Sequence, residues 1–72
     1  MPDFHQALRQ AQADLQASRF PEAIKHLELA ARIRPAEATV HLSLGVALQA
    51  AGQIQSAVAA YNQYALWLVL II

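Results

Sequence analysis

Apolar residues recur along the chain at three- and four-residue intervals, and the recurrence breaks three times. Phe4, Leu8, Ala11 and Leu15 form one stripe with Asp3 as a candidate N-cap, so a helix is predicted over about residues 4–17. Ser18-Arg19-Phe20 interrupts it. Pro21 then suits a first helical turn, where its missing N–H costs nothing, and Ala23, Ile24, Leu27, Ala30 and Ala31 follow at helical spacing. Pro35 ends this second segment, because the residue before a proline is pushed out of the α region. A third segment over about 37–50 carries Val40, Leu44, Ala47 and Leu48 on one side and stops at Gly52, a candidate C-terminal cap. The fourth begins near Gln53 and meets no stop signal before Ile72. Short connectors imply antiparallel neighbours, so the expected fold is all-α, a pair of αα-hairpins with the last helix extended.

The two hairpins echo one another. A shift of 34 residues places Leu8 on Leu42, Ala11 on Gly45, Ala13 on Ala47, Ser18 on Gly52, Phe20 on Ile54, Ala23 on Ala57, Ile24 on Val58 and Leu27 on Tyr61. Small residues fall on small and large on large. Within the second repeat the chain reads His41-x2-Leu44-Gly45-x2-Leu48, then Gly52, then Ala57-x3-Tyr61; the first supplies Ala23-x3-Leu27, Ala30 and Pro35. This pattern resembles the tetratricopeptide repeat over roughly residues 4–68, with one repeat at about 4–37 and the second at about 38–68 of a single domain spanning 1–72. Such hairpins stack into α-solenoids, of which two repeats are a fragment. Gly45, Ala23 and Ala57 are small where the two helices of a hairpin must approach closely.

Three departures from the family pattern shape the expectations. In the first helix the interior positions fall to Ala7, Gln10 and Asp14, weak or polar choices that suggest a shifted helix or an atypical terminal cap. Tyr64 replaces a usual small residue. Val69 stands where a proline would normally end the hairpin, so the last helix is expected to run on through the tail.

Charge is divided unevenly. Arg9, Arg19, Lys25, Arg32 and Arg34 balance Asp3, Asp14, Glu22, Glu28 and Glu37, and residues 38–72 carry no charge at all. That leaves no basic field for a nucleic acid, and it marks the second half as a surface to be covered. Arg32 and Arg34 are read as complementing a helix dipole. The absence of cysteine removes disulfides and thiolate metal sites as sources of stability for a chain this short. His5, His26 and His41 match no local metal-ligand spacing, and the carboxylates are read as helical surface charges without an acid/base partner. No G-x-x-x-x-G-K, G-x-G-x-x-G or G-x-S-x-G motif occurs. No catalytic, cofactor-binding or metal-binding residue is therefore expected, and the chain is not read as an enzyme. The opening MPDFHQALRQ lacks the basic and apolar regions of a secretory signal, and a cytoplasmic location is expected, with membrane association left open.

The resemblance implies a module that binds another protein or peptide along the concave face formed by the first helix of each hairpin. By position that face would present His5, Leu8, Arg9 and Gln12, then Thr39, Leu42, Ser43, Val46 and Gln49. Arg9 is its only cation, so the family's clamp for a terminal carboxylate is not expected, and an apolar peptide or helix suits it better. The tail, residues 65–72, reads ALWLVLII. Leu66, Trp67, Leu68, Val69, Leu70, Ile71 and Ile72 form a candidate interface, and at roughly 25 cal/mol per Å2 such a segment hides several kcal/mol of apolar surface. Three explanations stay open: burial against another copy or subunit, contact of residues 54–72 with a membrane, or a missing further hairpin that would cover the last helix. As a helix, 54–72 would measure about 28 Å, near the hydrocarbon thickness, but Gln55, Ser56, Asn62 and Gln63 and the lack of flanking cations weigh against spanning.

Overall fold

Asp3 starts the first helix as the sequence suggests: its carboxylate accepts the Gln6 backbone N–H at 2.7 Å. The computed structural model describes residues 3–71, with the Ile71 side chain left aside; the parts of the domain and tail assignments at Met1, Pro2 and Ile72 lie outside the described residues. Four helices follow in order: α1 Phe4–Gln16, α2 Phe20–Ile33, α3 Ala38–Ala50 and α4 Ile54–Ile71. The fold is all-α. Each boundary falls within two residues of its sequence expectation, and α4 runs on into the tail in the absence of a proline.

The packing follows chain order, α1 on α2, α2 on α3 and α3 on α4. Arg34, just after α2, lies over the ring of Phe4 at the start of α1, 4.5 Å from its centroid. That contact closes the open end of the first hairpin and joins a cation–π attraction to the dipole role read from the sequence. Cα positions span only 16 Å in the thinnest direction, so the core is a single seam between helices. Phe4, Ala7, Ala11, Ala23, Ile24, Leu27 and Ala30 from the first hairpin join Val40, Ala47, Leu48, Ala57 and Ala60 from the second. Alanine dominates this list, which lets the helices approach closely.

The internal repeat is visible in the backbone hydrogen bonds. In the first turn Ala17 N–H donates to Ala13 O, Ser18 to Leu15 and Arg19 to Asp14; in the second, Ala51 donates to Ala47, Gly52 to Gln49 and Gln53 to Leu48. Every pair is displaced by 34 residues. Both turns reverse through a left-handed residue, Ser18 at φ 58° and Gly52 at φ 83°. The Gln53 N–H reaching back to Leu48 O satisfies carbonyls that the helix end leaves free.

Gly45 has the packing role expected of it. A Cβ built there would stand 2.6 Å from the Tyr61 ring, a contact no side chain tolerates without displacement. Tyr61 in turn donates its hydroxyl to Gln49 Oε1 at 2.9 Å. The counterparts in the first hairpin, Ala11 and Leu27, are both fully buried, so a slightly larger first-helix residue there faces a smaller second-helix one.

Candidate functional site

α1 keeps the register of the repeat despite its polar residues. Ala7 and Asp14 are inside, as the family pattern would place them, while Gln10 turns to solvent. Asp14 corrects the expectation that every carboxylate is a surface charge: it is 2% exposed. Its Oδ1 accepts from Arg19 Nε at 3.1 Å and Nη2 at 3.0 Å, and its Oδ2 accepts from His26 Nδ1 at 2.7 Å. Burial pushes this carboxyl up, but the hydrogen bonds and positive charge of His26 and Arg19 outweigh it and hold it below its ordinary 3.8. The carboxylate thereby ties the end of α1 to the turn and to the middle of α2. It faces no cleft with a nucleophile, and the arrangement reads as structural.

His41 is the other buried polar side chain, and its Nε2 donates to the Pro35 carbonyl at 2.7 Å. That bond anchors the inter-hairpin loop to α3. Among the described residues no group of three or more His, Cys, Asp or Glu side chains is placed to hold a metal ion.

Two surfaces remain as candidates for partner contact. The first is the face assigned by resemblance. His5, Arg9 and Gln12 on α1 and Thr39, Leu42, Val46 and Gln49 on α3 are exposed, with Leu8 and Ser43 half-buried. Each set shares one helical face, but α1 and α3 are not among the closely packed pairs. An open groove of about 580 Å3 lies on the opposite side of α3, floored by His41, Leu44 and Leu48 and walled by Glu28 and Arg32 of α2 and Ser56, Ala60 and Gln63 of α4. The sequence reading did not single out this groove.

The second surface is α4. Within the tail, Leu66, Leu68, Val69 and Leu70 are exposed, while Trp67 is half-buried against the body. Ile72 lies outside the described residues, as does the side chain of Ile71. Exposed apolar residues do not begin at the tail, however: Ile54 and Val58 stand open at the other end of the same helix. Among the described residues no helix is long and apolar enough to cross a membrane, because the glutamines, asparagine and alanines of α4 dilute its hydropathy.

Comparison of the chain with protein-family models, with curated proteins and with solved structures finds no match. The functional reading therefore rests on the residues and their geometry.

Proposed function

We propose that this chain is a non-catalytic interaction and assembly module of tetratricopeptide type, which presents apolar helix faces to another protein, a second copy included. The observation that carries the reading is the run of exposed Ile54, Val58, Leu66, Leu68, Val69 and Leu70 on one uncharged helix. A contiguous apolar face of this kind on a small chain marks an interaction site. Leu42 and Val46 add a smaller apolar area on α3. A cytoplasmic setting fits a chain without cysteine.

Replacing Leu66, Leu68 and Leu70 together with glutamate tests the reading. These side chains are already exposed, so the variant is expected to keep its helicity and to run as a monomer where the wild type self-associates. Self-association that survives the triple change would count against assembly through α4. Flotation of the wild type, but not the variant, with phosphatidylcholine vesicles would replace the protein partner by a lipid surface.

A further inference from the structure

The 34-residue repeat shows what α4 lacks. α2 packs against helices on two sides, α1 and α3, whereas α4 packs on α3 alone. Ile24 on α2 is 8% exposed, and its counterpart Val58 on α4 is 52% exposed. Phe20 is half-buried, and its counterpart Ile54 is 56% exposed. The face that α2 covers is the face that α4 leaves open.

Another copy cannot cover it simply by continuing the array. The helix that would follow α4 in register is α1 of the next copy, standing where α3 stands on α2. Val40, Leu44 and Ala47 are buried or half-buried on α3, but their counterparts on α1 are Gln6, Gln10 and Ala13, all exposed. Head-to-tail stacking would set two glutamines against an apolar strip and leave their amides unpaired.

The open face has a different symmetry. Ile54, Val58, Asn62, Leu66 and Leu70 follow at four-residue spacing, and all five are exposed. Residues spaced by four form the ridges that interdigitate in the commonest helix crossing, at about −50°. This ridge reads alike in both directions from Asn62: two aliphatic residues, an amide, two aliphatic residues. A two-fold axis at Asn62 sets Val58 against Leu66 of the second copy and Ile54 against Leu70.

We propose that α4 docks on α4 of a second copy in an antiparallel two-fold crossing centred on Asn62, an inference that rests on the assembly reading above and gives its partner. Residues 38–72 carry no charge, so like surfaces meet without repulsion and nothing there selects a charged partner. The Asn62 amide holds both donor and acceptor and pairs with its own image, fixing register as a polar residue does in an apolar seam. Ala65 beside it is small and lets the helices approach.

The natural lack of cysteine makes a direct test clean. Asn62→Cys brings two thiols to the axis, whereas Ser56→Cys puts its thiol on the groove wall of α4. Under mild oxidation in dilute solution, Asn62→Cys is expected to form the disulfide-linked dimer about tenfold faster or more, by effective concentration; equal rates would overturn the crossing. A register test accompanies it. Val58→Glu and Leu66→Lys are each expected to yield a monomer of unchanged helicity, and the two combined in one chain to restore the dimer by pairing opposite charges across the axis. Single variants that stay dimeric would move the interface elsewhere, sinking the α4 crossing while leaving the assembly reading intact. A wild type that is monomeric and binds vesicles or a different protein through α4 would overturn the second copy as occupant.

Discussion

Position 14 of the first hairpin holds a buried aspartate, and position 48, its counterpart 34 residues on, holds a buried leucine. The substitution extends to their surroundings. His26 and Arg19, which hold Asp14, correspond to Ala60 in the core and Gln53 at the turn. The same backbone hydrogen bonds thus enclose a charged cluster in one hairpin and aliphatic packing in the other. The first hairpin gathers polar residues inward and displays charge outward, which suits a terminal unit that must stay in water. The second is uncharged within and without, which suits a unit that meets a partner. The geometry of the repeat tolerates both fillings because it depends on the sizes of side chains at the helix approach rather than on their polarity.

The comparison can be broken most sharply at the second helix of each hairpin. Leu27→Ala is expected to cost about 2–5 kcal/mol in urea unfolding, as full burial of a leucine implies. Tyr61→Ala at the half-buried counterpart should cost less, and an equal loss would mean that the two cores are filled alike.

Exchange of the matched pair sharpens it further. Gly45→Ala alone forces a Cβ into the Tyr61 ring and is expected to cost about 1–3 kcal/mol. Adding Tyr61→Leu recreates the alanine and leucine of the first hairpin and should recover most of that loss. Without recovery, the pairs do not compensate one another in size.

The turns give a smaller contrast. Ser18 holds a left-handed conformation that costs a side-chain-bearing residue about 1–2 kcal/mol, while Gly52 adopts it freely. Ser18→Gly is expected to stabilise the protein by up to about 1 kcal/mol, and Gly52→Ser to destabilise it by a similar amount. Changes of the same sign at both sites would break the equivalence of the turns.

The smallest effect at neutral pH is expected from placing the second hairpin's filling in the first. The double change Asp14→Leu with His26→Ala replaces a hydrogen-bonded charge by apolar volume, an exchange that is often nearly neutral. Its signature appears in acid. Because the Asp14 carboxyl titrates below 3.8, its contribution is complete above that value and is lost as pH falls through the lowered one. The wild type should lose stability over that range more steeply than the double variant, as followed by circular dichroism; parallel acid profiles would mean that the cluster contributes no net linkage.

Most of this architecture was legible in the sequence because it depends on short-range signals. Pro21, Pro35 and Gly52 punctuate the helices, and the spacing of alanines against larger residues marks the close approaches. The buried Asp14 was half legible: the 34-residue offset sets it on Leu48, an interior position, yet a charge on a helix reads as solvent-facing until Arg19 and His26 are seen around it. Neither residue has a local spacing to Asp14 that announces the contact. On the α4 surface, the eight apolar residues of the tail drew attention away from Ile54, Val58 and Asn62. Their place in one ridge depends on which side of α4 the body leaves uncovered, and that follows from tertiary packing rather than from hydropathy. The contact of Arg34 with Phe4 is likewise set by hairpin closure between residues distant in sequence.

Size-exclusion chromatography with light scattering, in detergent-free buffer over a range of protein concentrations, tests the central claim that the uncharged hairpin is an assembly surface. The account predicts a discrete, concentration-dependent species of twice the 7.9 kDa chain mass. A protein that stays at the mass of one chain up to its highest soluble concentration would contradict it.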